Sequence, residues 1–239
     1  MCTLTWWHEG VGYHLFFNRD ERLTRARERP PRFFSIEGES VMAPQDGDHE
    51  GTWLAVNGHG ECYALLNYYD RMATQPEPRD PVSRGVIPFR MAARRKMDLD
   101  HRELERFRPF HLVKVAPRQE VAAWRWDGVQ MEQACPESWE FPFLTTSSYD
   151  SARVVEGRKE AFRQIWPVKA AEQLARFHRG TSVEGGAYGV RMRRDDAQTM
   201  SILQVRVSES GILMRYEPQP RPGEAPTAAS ELRLEPCFV

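Results

Sequence analysis

The sequence predicts an α+β protein with antiparallel sheets inside and helices outside. Three observations support this prediction. Strand-like segments occur as hairpins rather than alternating singly with helices. Helical segments fall into two groups that lie between the hairpins. No break in composition divides the 239 residues, so a single domain spanning 1–239 is expected, and 41% hydrophobic residues are enough to form its core.

The first part of the chain predicts two hairpins and a loop. Residues 3–8 and 13–18 are rich in β-branched and aromatic types and flank a Gly-rich turn, which indicates a first hairpin. Residues 22–40 are charged and contain prolines, so they predict a loop. Residues 51–57 and 61–67 flank a Gly-His-Gly turn and predict a second hairpin.

The rest of the chain predicts helices and further strands. Ser83 is a suitable N-cap for a helix that runs to about residue 96, although Pro88 would kink it or delay its start. A short helix over 100–107 is expected next. The remaining segments predict strands over 110–116, 120–126, 129–133 and 143–147, helices over 151–165 and 168–178, a loop over 180–198, strands over 200–207 and 211–217, and an edge strand over 232–237.

Charge and hydropathy exclude several classes of protein. A net charge of −1 and a pI near 6.7 disfavour a dedicated nucleic-acid binder. No stretch approaches about 18 consecutive apolar residues, so no membrane span is predicted. The first residues lack the basic and apolar regions of a secretory signal, and a cytoplasmic location is expected. Arginine supplies most of the basic residues, which indicates either the codon bias of a GC-rich genome or a guanidinium-rich binding surface.

Cysteine and histidine spacing predicts no metal and no cofactor. The four cysteines are far apart and form no C-x-x-C pair, and the histidines show no paired-ligand spacing. Cys62 and Cys237 stand in apolar segments and are expected to be buried, whereas Cys135 precedes a proline in a polar loop and is expected to have no role.

Cys2 is the first candidate for chemistry. Methionine is usually removed before a small residue, so the mature chain is expected to begin at Cys2. That residue would then carry both a thiol and a free α-amine, whose pKa of about 7.7–8.0 lets it accept the thiol proton. This is the arrangement of an N-terminal nucleophile. A Met-Cys start without catalytic significance is the alternative.

Two further segments supply candidate partners for Cys2. A hairpin that starts at Cys2 returns Asn18-Arg19-Asp20-Glu21 to its side. Arg19 would then favour the thiolate, and Asp20 would hold or orient the amine. Asn67 ends an apolar strand and could donate to an oxyanion. The alternatives are a solvated charged turn for the tetrapeptide and a turn former for Asn67.

Together these features resemble the NRDE family, also called the Transport and Golgi organisation 2 family. The resemblance is specific over residues 1–70, weaker to about 217, and rests on the order and spacing of Met1-Cys2, Asn18-Arg19-Asp20-Glu21, Gly51-Thr52-Trp53-Leu54-Ala55-Val56-Asn57 and Leu65-Leu66-Asn67-Tyr68. Tyr188-Gly189-Val190-Arg191 resembles the later Tyr-Gly-Thr-Arg motif of the family.

The family is similar in layout to N-terminal-nucleophile hydrolases of the bile-salt hydrolase and penicillin V acylase type. That relation implies a four-layer αββα sandwich. It also implies Cys2 as the nucleophile, Arg19 and Asp20 as its electrostatic partners, and Asn67 at the oxyanion hole.

Two positions depart from the related patterns. Thr146 falls where the bile-salt hydrolase pattern has a second oxyanion Asn, and losing one oxyanion donor costs roughly 10²–10³ in rate. Arg191 is the remaining site residue that the resemblance implies, although Met192-Arg193-Arg194 follow it in place of small hydroxyl residues.

The expected function is that of an N-terminal-cysteine amidohydrolase, which cleaves the C–N bond of a small acyl amide through a thioester on Cys2. The alternative is a non-enzymatic carrier that binds haem, a lipid or acyl-CoA in the same cleft, and a third hypothesis is a retained fold with neither activity. The set Cys2, Arg19 and Asp20 favours the enzyme, whereas Thr146 favours the carrier.

Overall fold

The computed structural model describes residues 1–72, 74, 76–134, 139–180 and 185–237. Cys135 and part of the loop predicted over 180–198 lie outside the described residues, so these two predictions are not tested. The strands are β1 (Cys2–Glu9), β2 (Gly12–Arg22), β3 (Arg29–Ile36), β4 (Glu39–Gln45), β5 (Leu54–Asn57), β6 (Cys62–Asn67), β7 (Phe110–Val115), β8 (Val121–Trp126), β9 (Met131–Ala134), β10 (Phe143–Thr146), β11 (Ala197–Ser208), β12 (Gly211–Pro218) and β13 (Ser230–Leu234). The helices are α1 (Tyr69–Met72), α2 (Val86–Arg94), α3 (His101–Leu104), α4 (Ser151–Arg163) and α5 (Ala171–Arg179).

The strands form two antiparallel sheets. The six-stranded sheet has the order β10-β1-β2-β11-β12-β13, and the seven-stranded sheet has the order β3-β4-β5-β6-β7-β8-β9. Apart from the bridges that β10 and β11 make to earlier strands, each strand pairs with its neighbour in sequence. The prediction of a sheet-rich α+β protein built from hairpins is therefore confirmed.

Three apolar clusters join these elements. One connects the two sheets through side chains such as Leu4 and Leu203 of the first and Ala64 of the second. Another places α2 against the seven-stranded sheet, and a third places α4 and α5 against the six-stranded sheet, where Phe162 and Leu174 are fully buried. Each such large apolar side chain contributes about 1.5–3 kcal/mol by leaving water.

Several predicted elements need correction. The loop predicted over 22–40 is wrong, because residues 29–36 and 39–45 form the hairpin β3–β4. β3 lies at the edge of its sheet, where prolines and exposed charged side chains are tolerated. The helix expected from Ser83 begins at Val86, so that Pro88 falls in the first turn, where its missing N–H is not needed.

The last described segment also differs from its prediction. The edge strand is β13, which ends at Leu234 and indeed lies at the end of its sheet. Cys237 is exposed, so the prediction that it is buried is wrong, because the chain has left the sheet there. A backbone hydrogen bond from the Cys237 N–H to the Gly58 oxygen ties this segment to the turn before β6. Within the described residues, no helix has the length and apolar character needed to cross a membrane.

Candidate active site around Cys2

Strand register brings four polar side chains into one row. Cys2 opens β1 and lies directly opposite Arg19 of β2 and Thr146 of β10, and Arg19 in turn lies opposite Ser201 of β11. Directly opposite residues in antiparallel strands present their side chains on the same face. This face packs on the other sheet, because Cys2 contacts the apolar cluster between the two sheets.

The environment of Cys2 favours the neutral thiol while Met1 is attached. Burial raises the pKa of Cys2 to about 11, and the charge of Asp20 acts in the same direction. The Met1 α-amine, Arg19 and a hydrogen bond from the backbone N–H of Asp20 each lower this pKa. The predicted effect of Arg19 is therefore present in direction, but burial outweighs it.

Met1 is buried beside Cys2. Its α-amine donates to the backbone oxygen of Asp20 at 3.1 Å and to the Tyr69 hydroxyl at 2.9 Å, while its carbonyl accepts the Asp20 N–H at 2.9 Å. Burial alone would lower the pKa of this amine, but the charges of Tyr69, Cys2 and Asp20 raise it to about 10. The Met1 side chain packs against Met192 and Ala197. Met1 thus fills a small pocket next to the thiol.

Arg19 is held by carboxylates on several sides. It donates to Glu28 at 2.8 Å and to Asp46 at 2.6 Å, and its guanidinium lies 4.6 Å from the centre of the Trp53 ring. Burial lowers its pKa, but Glu28, Glu21 and Asp46 raise the pKa by more. Arg19 is consequently a fixed cation below Cys2 and also a brace between strands.

Asp20 points to the opposite face of the sheet from Arg19, as strand alternation requires. Its carboxylate is fully buried, accepts two hydrogen bonds of 3.1 Å from Arg158 of α4, and accepts a third from the Thr199 hydroxyl at 2.6 Å. The Met1 amine contacts only the backbone oxygen of Asp20. The carboxylate therefore anchors α4 to the sheet. Its predicted role, to hold or orient the free amine of Cys2, concerns the chain without Met1 and stays a prediction.

Of the other predicted site residues, Asn67 and Thr146 lie at or near the cavity, whereas Arg191 does not. Asn67 ends β6, lines the cavity described below and donates to the Tyr69 hydroxyl at 2.8 Å. Thr146 is buried beside Cys2, and its hydroxyl has no hydrogen-bond partner in the described part of the chain. Arg191 is exposed and does not line the cavity, so the structure does not bring it to Cys2.

A cavity of about 860 Å³ opens beside Cys2. Its lining includes Trp53, Asn67 and Tyr69 and is rich in charge. Glu21, Asp46 and Asp196 contribute acidic side chains, whereas Asp20 lines the cavity although its carboxylate is buried against Arg158. Six arginines contribute: Arg19, Arg22, Arg25, Arg84, Arg108 and Arg194. Arginines therefore outnumber acidic residues around this space.

The segment beginning at Gly51 shapes one wall of this cavity. Gly51 and Gly85 approach so closely that a Cβ on Gly51 would lie 2.7 Å from the Cα of Gly85. The Thr52 N–H then donates to the Gly85 oxygen at 2.8 Å. Glycine at both positions lets strand and helix start meet, and this contact places Trp53 and Arg84 on the cavity wall.

A family model described as Transport and Golgi organisation 2 matches residues 1–177. The chain belongs to the Transport and Golgi organisation 2 family. No curated protein sequence matches it significantly. Among solved structures, it is similar to the mutant C2A conjugated bile acid hydrolase from Clostridium perfringens, with 9% sequence identity, a TM-score of 0.54, and coverage of 98% of this chain and 92% of that chain. This likeness shows that the chain shares the fold of that conjugated bile acid hydrolase.

Sequence reasoning on this Transport and Golgi organisation 2 family member missed several residues at the site. Arg158 lies more than a hundred residues from Asp20 in a charged helix, so nothing local signals their contact. Tyr69 stands in a segment whose pattern indicates a turn, and Arg84 stands at the start of a predicted helix, so neither residue is marked as part of a site. Among the described residues, no three His, Cys, Asp or Glu side chains gather as a metal site would require. The side chains near Cys2 supply a thiol, cations and hydrogen-bond donors.

Proposed function

We propose that this protein is an N-terminal-cysteine amidohydrolase that cleaves the C–N bond of a small acyl amide through a thioester on Cys2. The observation that carries the proposal is the position of Cys2, which opens a central strand at a large cavity with Arg19 directly opposite. The proposal includes a four-layer αββα arrangement and a single domain over 1–239, which the three apolar clusters support.

Removal of Met1 is the first step of this proposal. Cys2 would then carry the free α-amine, whose ordinary pKa of about 7.7–8.0 leaves part of it neutral near pH 7. The amine takes the thiol proton, and the thiolate attacks the carbonyl carbon of the amide. The C–N bond breaks, the proton passes to the leaving amine, and water hydrolyses the thioester to a carboxylic acid and the free thiol.

Three hydrogen-bond donors near Cys2 are candidates to stabilise the oxyanion. Loss of Met1 frees the Asp20 N–H, which at present donates to the Met1 carbonyl. The Thr146 hydroxyl lacks a partner within the described residues, and the Asn67 amide donates only to the Tyr69 hydroxyl. Each such donor contributes about 2.7–4 kcal/mol to transition-state stabilisation when it is positioned well.

Removal of Met1 would also enlarge the space for substrate. The Met1 side chain packs against Met192 and Ala197, and its sulfur accepts a hydrogen bond from Ser147 at 2.8 Å. This pocket adjoins the thiol and is mostly apolar. In the processed protein it would accept a short unbranched apolar group of the substrate.

The second candidate function is a non-enzymatic carrier of haem, a lipid or acyl-CoA. The volume of the cavity, about 860 Å³, favours it, because a small acyl amide would fill only part of that space. The raised pKa of Cys2 while Met1 is attached also points away from a reactive thiol. A carrier would bind its ligand without consuming it and would not need Cys2.

The test is amine release from a panel of N-acyl amides, with the mature N-terminus of the same preparation determined by mass spectrometry. We expect Met1 to be absent and turnover to be lost in Cys2→Ala but kept in Cys62→Ala, a matched change at a buried cysteine that does not line the cavity. Equal amine release by wild type and Cys2→Ala would overturn the enzymatic proposal. Tight ligand binding without turnover in both proteins would support the carrier.

A further inference from the structure

Arg84 differs from four of the other five arginines of the cavity. It lines the cavity that contains Cys2, in the residue before the N-cap of α2. One of its terminal nitrogens, Nη1, donates to the Pro109 oxygen at 2.8 Å and contacts the Met72 sulfur at 3.5 Å. No hydrogen bond from its other nitrogens, Nε and Nη2, is found among the described residues. Because Arg84 is only partly buried and lines the cavity, these two nitrogens are available to a ligand there.

The charge of Arg84 has no acidic partner in the described part of the chain. Four of the other cavity arginines pair with carboxylates: Arg19 with Glu28 and Asp46, Arg25 with Asp46 and Asp48, Arg108 with Glu77, and Arg194 with Asp196. Burial lowers the pKa of Arg84 to about 10, and nearby Tyr69 offsets only part of that effect. Arg84 therefore stays cationic at neutral pH. A partly buried cation with no carboxylate in contact, as in the described residues here, is costly for the fold.

Structural roles explain only part of this placement. The bond to Pro109 ties the start of α2 to the segment before β7, but one neutral donor at this position would achieve the same. The close contact between Gly51 and Gly85 fixes the backbone next to Arg84, and the bond from Nη1 to the Pro109 oxygen holds the guanidinium at the cavity wall. A cation at a cavity wall, whose Nε and Nη2 make no other hydrogen bond in the described residues, is suited to an oxyanion of a ligand.

We propose that Arg84 binds an anionic group of the substrate, so that the acyl amide cleaved at Cys2 carries a carboxylate, phosphate or sulfonate. This inference rests on the proposed function, because it names the substrate class of that site. The guanidinium of Arg84 would bind the anionic group through two N–H donors and position the amide carbonyl at the Cys2 thiol. Arg84 is then a specificity-determining residue, whereas Arg19 acts on the nucleophile.

The experiment compares alkylation of Cys2 by iodoacetate and by iodoacetamide, read at the Cys2 peptide by mass spectrometry. In both reactions the sulfur displaces iodide from carbon, and only the charge of the reagent differs. The ratio of the two rates therefore cancels any change in the reactivity of the thiol itself. We expect Arg84→Gln to lower this ratio roughly threefold to tenfold relative to wild type.

Two variants control this measurement. Arg84→Lys keeps the charge and should retain most of the ratio. Arg108→Gln removes another cavity arginine, but one that is exposed and paired with Glu77, so the ratio should change by less than about twofold. An unchanged ratio in Arg84→Gln, or equal losses in Arg84→Gln and Arg108→Gln, would overturn the proposal.

Competition between free anions and iodoacetate in the wild-type protein tests anion binding at Arg84 even if a variant does not fold. At constant ionic strength, acetate, phosphate and methanesulfonate should slow labelling by iodoacetate more than chloride does, and the strongest of them identifies the anionic group. No protection beyond that of chloride would overturn the inference. These readouts need no turnover, so they fail or succeed independently of the amidase assay.

Discussion

Replacing Arg19 with methionine tests whether this residue serves the fold, the thiol or both. Methionine keeps much of the length of the side chain and removes the charge. The change leaves Glu28, whose side chain is 2% exposed, without its cation, while Asp46 keeps its bonds to Arg25. Breaking a buried ion pair by removing one partner costs about 3–5 kcal/mol. We therefore expect Arg19→Met to lower the free energy of unfolding by about that amount.

A second substitution separates the two roles of Arg19. Adding Glu28→Gln removes the unpaired buried carboxylate and should recover about 1–3 kcal/mol of the free energy of unfolding. Relative to Arg19→Met alone, this second change should leave the alkylation of Cys2 unchanged. Since Arg19 lowers the pKa of Cys2, both the single and the double variant should alkylate Cys2 with a pH midpoint above that of wild type.

The assay combines urea unfolding, followed by tryptophan fluorescence, with a pH series of Cys2 alkylation. Trp53 stacks on the Arg19 guanidinium and reports directly on this region. If Glu28→Gln restores both stability and the alkylation midpoint, Arg19 acts on Cys2 only through the fold. A loss of less than about 1 kcal/mol with an unchanged midpoint would refute both parts of the reasoning.

Three further predictions follow from the buried groups. Cys62, whose pKa burial raises further than that of Cys2, should be alkylated many times more slowly than Cys2 in the folded protein, as read by peptide mass spectrometry. Burial lowers the pKa of His178 to about 3, whereas its ordinary value is 6.5. Below pH 6.5 the unfolded chain therefore binds a proton at His178 that the folded protein does not bind. The free energy of unfolding should decrease as the pH is lowered from 6.5, by about 3 kcal/mol at pH 4 in urea titrations. Arg158→Met leaves the Asp20 carboxylate buried without a cation, and should lower the free energy of unfolding by about 3–5 kcal/mol.

Each of these has its own control. Labelling of Cys2 and Cys62 should become equal in urea, and equal rates in the folded protein would contradict the first prediction. His178→Gln should show a shallower loss of stability on acidification, and an identical pH slope would count against the second. Combining Arg158→Met with Asp20→Asn should recover part of the lost stability. No recovery would mean that Arg158 acts through packing alone.

The sequence predicted the contacts that depend on local pairing. A tight hairpin fixes which residue of β2 lies opposite Cys2, so Arg19 was placed correctly from spacing alone. A polar residue after an apolar run predicted that Asn67 ends its strand, and the structure places it there, at the cavity. The structure places Cys2, Arg19 and Asn67 at the same cavity, and their roles in catalysis remain predictions.

Contacts between distant segments were not predictable in this way. The carboxylate of Asp20 points away from Cys2 because neighbouring residues on a strand alternate in direction, and its partner Arg158 comes from a helix far along the chain. Arg84 stands at the start of the predicted helix, where no motif marks it, and its place in the cavity depends on the contact between Gly51 and Gly85. Arg191 was placed by motif alone, and the structure leaves it exposed.

The charged segment after Arg22 shows why an edge strand can be mistaken for a loop when only the sequence pattern is used. Its charged residues and prolines match a loop, yet one side of β3 faces solvent and needs neither apolar residues nor a full set of N–H donors. Tertiary position therefore decides the structure of this segment.

The central claim, that Cys2 is an N-terminal nucleophile, is tested most directly by one mass spectrum. The purified protein is incubated with p-nitrophenyl acetate, and its N-terminal peptide is sequenced by tandem mass spectrometry. The proposal predicts a peptide that begins at Cys2 and carries one acetyl group on that residue, and no acetyl group on the corresponding peptide of Cys2→Ala. A peptide that still begins at Met1 and carries no acetyl group would contradict it.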